Sequence, residues 1–123
     1  MTAWLGLIAG GVCGTVARYL LSTTIQRSSG GGMFPLGTLA VNATGCLIIG
    51  WIAAAIERQP MSEPARLFWT TGLLGAFTTF SALIHESAGL LRAGQPLLAL
   101  ANLLLSVGLG FAAYWLGLRL GGG

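Results

Sequence analysis

The sequence contains no lysine and no aspartate, and its charged side chains are six arginines and three glutamates. A water-soluble domain carries charge on about a quarter of its residues, whereas in this chain the charged share is 7 %. Hydrophobic residues make up 54 % of the chain, and the mean hydropathy is +0.81. We therefore predict an integral membrane protein, because lipid is the solvent that suits such a surface.

Other scarce residues exclude further classes of protein. The arginines stand singly, so we expect no basic patch of the kind that binds nucleic acid. His85 is the single histidine, which excludes a multi-histidine metal site within one chain. Cys13 and Cys46 both lie in apolar segments, where we expect small packing residues and not a disulfide or a metal pair. No basic region precedes the first apolar run, so that run is predicted to be a retained span and not a cleaved signal.

Four apolar segments are long enough to cross a bilayer, which takes about 20 helical residues. We predict an all-α membrane protein with spans at residues 3–22, 36–56, 67–91 and 97–118. Residues 1–123 form a single transmembrane domain in this interpretation. The connection QRSSGGGMFP between the first two spans is rich in glycine and serine, and we expect it to be flexible.

The positions of the arginines give almost no orientation signal of the positive-inside kind. The side of the membrane that holds the N-terminus would also hold Arg58, Arg66 and Arg119. The opposite side would hold Arg27 and Arg92, joined by Arg18 if that residue is counted. Either another feature sets the orientation, or the chain inserts both ways and assembles as an antiparallel dimer.

The first two spans contain small residues that suit helix packing and polar residues that each have two interpretations. Gly6, Gly10 and Gly14 recur every four residues, which favours close approach of another helix. Arg18, one turn further on, either extends to the membrane interface or draws anions towards a vestibule. Asn42 in the second span either bonds a neighbouring helix or offers neutral N–H donors to a passing anion.

The third span contains GAFTTFSAL, residues 75–83, in which glycine and adjacent threonines weaken helix propensity. One interpretation is an unbroken helix whose threonines bond back to the preceding turn. The other is a break that frees backbone carbonyls, which are good ligands for a hard cation. Phe77 and Phe80 are either core aromatics or rings whose positive edges face an anion.

The fourth span carries a polar stripe at intervals of four residues, formed by Asn102, Ser106 and Gly110. These residues lie on one helical face. A polar stripe in an otherwise apolar helix faces protein or water and not lipid. The stripe therefore either forms hydrogen bonds between helices or lines a water-filled path.

Three segments together resemble the Fluc-type fluoride channels, small four-span proteins of dual topology. They are GGVCGTVARY, GTLAVNATGCLIIG and GLLGAFTTFSAL, and they follow one another in the family's order and spacing over essentially the whole chain. The resemblance implies a channel, not an enzyme, that passively exports cytoplasmic fluoride across the plasma (inner) membrane and protects against fluoride toxicity. It also implies an antiparallel homodimer in lipid with a broken third helix.

The resemblance further implies roles for individual residues. A structural sodium ion at the dimer centre would be held by the backbone carbonyls of Gly75 and Thr78. The pore or anion-binding candidates are Asn42, Phe80 and Ser106, with Arg18 in the vestibule and Phe77 and Ser81 beside them.

The chain departs from the family pattern at two positions. Leu83 stands where a second phenylalanine is usual, and Asn102 stands where the polar stripe usually begins with tyrosine. A paralogous second subunit that supplies the missing groups is therefore an alternative to the homodimer. Two other functions are kept beside the channel: a small multidrug-type proton-coupled exporter and a non-conducting membrane assembly subunit.

Overall fold

The structure, a computed structural model, describes residues 1–122 and contains only helices and their connections in that range. Its elements are α1 (Thr2–Ser28), α2 (Leu36–Arg58), α3 (Glu63–Arg66), a π-helical segment (Leu67–Leu74), α4 (Gly75–Phe77), α5 (Phe80–Arg92) and α6 (Pro96–Gly122). The pieces from α3 to α5 together make the third span, Glu63–Arg92. The four helical spans confirm the predicted all-α membrane fold.

The helices are longer than the spans predicted from hydropathy, since helical hydrogen bonding continues past the apolar core. α1 ends at Ser28 and not near residue 22, and α6 reaches Gly122. Arg18 consequently lies ten residues, about 15 Å of helix, before the end of α1. It is therefore a side chain well inside a helix and not one at a helix end.

The glycines of the first span allow α1 to press against the third span. A Cβ at Gly6 would lie 2.7 Å from the Pro64 carbonyl oxygen, and one at Gly14 would collide with the Leu73 backbone. Real Cβ atoms do not approach backbone so closely, so only glycine permits this packing. The predicted role of these glycines in close helix approach is confirmed.

The remaining helices close the protomer. α2 packs along α6, and α5 also packs against α6. Val41 and Asn102 are fully buried at the centre of this arrangement. The connection between α1 and α2 passes through Gly30 and Gly31, whose positive φ values of 78° and 65° suit glycine. The Ser29, Gly30 and Gly31 N–H groups bond back to the last turn of α1.

Candidate functional site

The third span is not one continuous helix. Thr78 has φ −83° and ψ 156°, and Thr79 has φ −150° and ψ 113°, so both are extended. They lie at the middle of the span Glu63–Arg92, between α4 and α5. An interruption at this depth exposes backbone groups that lipid cannot satisfy.

The two adjacent threonines have different local roles at this break. The Thr78 hydroxyl and N–H both donate to the Leu74 carbonyl, each at 3.0 Å, and so complete the last turn before the break. The Thr79 hydroxyl accepts a hydrogen bond from the Ala82 N–H at 3.2 Å and caps the start of α5. Threonine is a good N-cap residue because its hydroxyl satisfies a free N–H of the first turn.

Asn42 satisfies the backbone of the second extended threonine from the neighbouring helix α2. Its Oδ1 accepts the Thr79 N–H at 2.8 Å, and its Nδ2 donates to the Thr79 carbonyl at 3.1 Å. An amide nitrogen carries two hydrogens, so one N–H of Asn42 remains beyond this pair. The side chain therefore holds the break and still has a donor to offer.

Gly45, one turn beyond Asn42, makes room for the break against α2. A Cβ at this position would collide with Cγ2 of Thr78 and lie 3.3 Å from Cδ1 of Phe77. α2 can therefore approach the break closely enough for the Asn42 amide to reach Thr79.

At the break, the backbone carbonyls of Gly75 and Thr78 are among those that lack the donors of a continuous helix. In a continuous helix Gly75 would accept from the Thr79 N–H, and Thr78 would accept from the Ala82 N–H. Among the described residues, those N–H groups donate instead to Asn42 and to the Thr79 hydroxyl. Carbonyl oxygens are hard ligands that suit a cation such as Na⁺, so the predicted donor set at Gly75 and Thr78 fits.

A cavity of about 420 Å³, here called the central cavity, lies against the break. It gathers five of the predicted site residues: Asn42, Gly75, Thr78, Phe80 and Ser106. Leu83, the departure from the family pattern, lines the same cavity. Phe80 is 74 % exposed in the single chain, so its ring faces outward from the protomer.

A second cavity of about 630 Å³, the middle cavity, contains the other polar candidates. Arg18 from α1 and Ser81 from α5 line it, together with His85 and Glu86. Thr79 lines both this cavity and the central one, so the extended threonine forms a shared wall.

A third cavity of about 510 Å³, the end cavity, lies beside the connection from α1 to α2. It shares Ser22, Thr38 and Glu86 with the middle cavity. The Thr38 hydroxyl donates to Glu86 Oε1 at 2.6 Å across this shared region. Glu86 Oε2 is buried and has no partner among the described residues. The end and middle cavities therefore meet at a hydrogen-bonded polar pair.

Phe77 and Asn102 are placed inside the protein and not at a cavity wall described above. Phe77 is 6 % exposed and lies beside Gly45, so its assignment to the pore stays a prediction. Asn102 is fully buried, and its Nδ2 donates to the Ser87 hydroxyl at 3.0 Å, which joins α6 to α5. Ser106 Oγ, one turn away, is buried without a partner among the described residues.

Sequence reasoning gave no role to three polar residues: Gln26 and Thr38 line the cavities, and Ser87 is buried against Asn102. Ser87 had no signal apart from its polarity in an apolar helix. Thr38 lies one turn before Asn42 in α2, and its partner Glu86 is 48 residues away in the chain. Gln26 bonds backbone groups of the following connection, and backbone partners leave no residue-type pattern to read.

Comparison with known proteins gives consistent results over nearly the whole chain. Residues 5–118 match the family described as "CrcB-like protein, Camphor Resistance (CrcB)". A protein of Solidesulfovibrio magneticus named "Fluoride-specific ion channel FluC" is 48 % identical over 120 residues, covering 95 % of this chain and 94 % of the relative. A Desulforapulum autotrophicum protein of the same name is 43 % identical and covers 90 % and 89 %. One from Thermotoga maritima is 42 % identical and covers 98 % and 94 %.

Proposed function

This chain belongs to the CrcB-like protein family, and from that premise we propose that it is a fluoride-selective ion channel of the plasma (inner) membrane. Fluoride leaves the cytoplasm through it passively, which protects the cell against fluoride toxicity. The relatives described above carry the name of a fluoride-specific ion channel. The protein is a multi-pass membrane channel and not an enzyme.

The central cavity is the observation that carries this proposal. It brings Asn42, Phe80 and Ser106 together beside the break in the third span. Fluoride is small and strongly hydrated, so a pore has to replace its water with other donors. The remaining Asn42 N–H and the unpartnered Ser106 hydroxyl are neutral donors, and the Phe80 ring edge carries weak positive charge. Neutral donors hold an anion without trapping it.

The middle cavity supplies the approach to this pore. Arg18 and Ser81 line it, and Thr79 separates it from the central cavity. A fixed positive charge in a cleft raises the local concentration of anions. Arg18 therefore acts as a vestibule charge in this proposal, and the short passage past Thr79 leads to Asn42.

An antiparallel homodimer is the assembly that we propose. The carbonyls of Gly75 and Thr78 lie at the middle of the span without their helical donors, and Gly75 and Phe80 are exposed in the single chain. Backbone groups of this kind are not tolerated against lipid, so a second copy covers them. The nearly balanced arginines suit insertion in both directions.

The cation assigned to this site in the proposal is a structural sodium ion. Gly75 and Thr78 of each chain would hold it through their backbone carbonyls. When bound, it supplies positive charge at the centre of the dimer, which favours an anion nearby. Every contact that fluoride itself makes comes from the chain's own donors.

The exporter alternative has no support in the first span. A proton-coupled pump of the small multidrug type requires a carboxylate embedded in that span to exchange protons. Residues 2–28 contain no aspartate and no glutamate. A flux measurement distinguishes the assembly-subunit alternative from the channel, since the assembly subunit would conduct no ions.

The decisive experiment is fluoride efflux from liposomes that contain this protein alone, with chloride efflux and protein-free liposomes as controls. We expect fast fluoride release and no chloride release. Absence of fluoride release from folded, dimeric protein would contradict the channel. Release only after addition of a second gene product would replace the homodimer with a heterodimer.

A further inference from the structure

The Gln26 side chain, near the end of α1, makes three hydrogen bonds to backbone groups outside that helix. Its Nε2 donates to the carbonyls of Gly32 at 2.9 Å and Phe34 at 3.1 Å. Its Oε1 accepts the N–H of Gly37 at 3.1 Å, in the first turn of α2. One side chain therefore uses both amide donors and its acceptor, and fastens the end of α1 to the connection and to the start of α2.

The connection held in this way is a wall of the end cavity. Met33 and Pro35 line that cavity on one side, and Gln26 itself lines it beside Ser22. The glycine and serine content predicts a flexible connection. In the structure, hydrogen bonds from Gln26 hold part of its backbone in place. Without the Gln26 bonds, the Gly32 and Phe34 carbonyls would have no side chain holding them against α1.

The Gly37 bond also sets the position of the next residue. Gly37 is buried, and a Cβ there would collide with the Ser22 backbone, so the start of α2 lies directly against α1. Thr38 follows, and its hydroxyl donates to Glu86 where the end and middle cavities meet. Gln26 therefore bonds Gly37, the residue directly before the Thr38 that lies at that junction.

We propose that Gln26 is a positioning residue for anion access. It holds residues 29–35 as the outer wall of the end cavity and keeps the Thr38 hydroxyl bonded to Glu86, so that this carboxylate is held at the wall of the passage through which an anion reaches Arg18. This inference rests on the proposed channel function for its conduction part. The hydrogen-bonded clamp stands on the contacts alone.

Two variants and one control separate the parts of the clamp. Gln26→Met keeps a long, helix-favouring side chain but removes all three bonds. Gln26→Glu retains an acceptor for the Gly37 N–H and loses both donors to the connection. Thr24→Val is the matched control, because Thr24 lies in the same turn of α1 as Gln26, is exposed and lines none of the three cavities.

Amide hydrogen exchange, followed by mass spectrometry on the full-length protein, tests the clamp without reference to transport. In Gln26→Met we expect exchange of residues 30–39 to accelerate by about tenfold, the factor produced by losing one or two hydrogen bonds. In Gln26→Glu, Gly37 should stay protected while residues 30–34 exchange faster. Unchanged exchange in both variants would overturn the clamp.

Fluoride efflux from liposomes at several fluoride concentrations tests the positioning role. A variant that merely folds less well lowers the rate by one factor at every concentration. For Gln26→Met we expect a loss of at least about threefold at limiting fluoride and a smaller loss at high fluoride, since capture and not passage is impaired. Thr24→Val should match the wild type.

The outcomes distinguish this inference from the proposed function. In Gln26→Met, amide exchange could be faster while fluoride efflux falls by the same factor at every concentration or does not fall. That result would overturn the positioning role and leave Gln26 as a structural clamp. If the wild type itself releases no fluoride, the channel proposal fails and the positioning role fails with it. The exchange data would then still decide whether Gln26 holds the connection.

Discussion

At the scale of single residues, Asn42 combines two tasks in one amide. Its Oδ1 and one N–H bond the backbone of Thr79, which leaves a second N–H outside this pair, and Asn42 lines the central cavity. In the proposed channel, the same side chain therefore stabilises the break and contributes to the pore. A change at this position affects both, and the two effects differ between variants.

We predict that Asn42→Asp abolishes fluoride efflux, with a loss of at least about a hundredfold. A carboxylate about 4 Å from a passing anion costs roughly 4 kcal/mol at an effective dielectric constant of ~20. Asp can still accept the Thr79 N–H but cannot donate to the Thr79 carbonyl. The measurement is efflux from liposomes, with protein folding checked by size-exclusion chromatography. Thr44→Val, in the same turn but outside the cavity lining, is the control. Unchanged efflux in folded Asn42→Asp protein would remove Asn42 from the pore.

At the scale of helical elements, the break depends on what each neighbouring element offers. α4 ends with the Thr78 bonds to Leu74, and α5 begins with the Thr79 cap. α2 contributes Asn42 and the space left by Gly45. An extended pair within a span is stable here because three elements satisfy or accommodate its backbone.

Thr79→Val is predicted to weaken the start of α5 by about 1 kcal/mol, the usual cost of losing an N-cap hydroxyl. Valine has the same shape as threonine, so packing changes little. Thr79→Ser keeps the hydroxyl and should behave as the wild type. Amide exchange at Ala82, which donates to the Thr79 hydroxyl at 3.2 Å, is the measurement. Equal protection of Ala82 in both variants would contradict the capping role.

The contact between α1 and the third span gives a prediction with a built-in control. A methyl group at Gly14 would collide with the Leu73 backbone, whereas one at Gly11 meets nothing within 4 Å. We expect Gly14→Ala to destabilise the protein by about 1–3 kcal/mol, the range for overpacking. Gly11→Ala should be neutral or stabilising by up to about 1 kcal/mol, since alanine favours helix. Thermal unfolding in detergent measures both, and equal midpoints would disprove the close approach.

At the scale of the whole molecule, the charge distribution bears on assembly. The arginines are divided almost evenly between the two sides of the membrane. In the single chain, the Phe80 ring and Gly75 at the break remain on the surface. A second copy of opposite orientation would cover this surface, and one more charge on either side should upset the balance between orientations.

We predict that Gln95→Arg and Gln59→Arg bias insertion in opposite directions. Gln59 follows α2 and Gln95 lies between α5 and α6, both exposed and on opposite membrane sides. Each variant expressed alone should lose at least about half of its efflux per protein, because antiparallel pairs become scarce. Coexpression of the two should restore efflux. Full activity of either variant in a single verified orientation would contradict the antiparallel homodimer.

Hydropathy predicted the four spans correctly, but it placed the helix ends several residues short, as at Ser28 of α1. Apolar content reports where lipid begins, whereas helical hydrogen bonds continue into the polar region. The site residues followed from the family resemblance, and the structure brings Asn42, Phe80 and Ser106 to one cavity. The pairing of Asn42 with Thr79 spans 37 residues of chain, and no local pattern could predict it.

The sequence by itself already determined lipid as the solvent, the number of helices that cross it and the nearly even placement of arginines. These properties follow from adding the contributions of individual residues along the chain, since each side chain contributes almost independently to the free energy of transfer into lipid. The folded arrangement was needed to identify the carbonyls of Gly75 and Thr78 that lose their helical donors. It was also needed to divide the polar candidates between the central and the middle cavity. Hydrogen bonds between distant residues depend on helix register and on how closely backbones approach, and these distances exist only once the helices have packed.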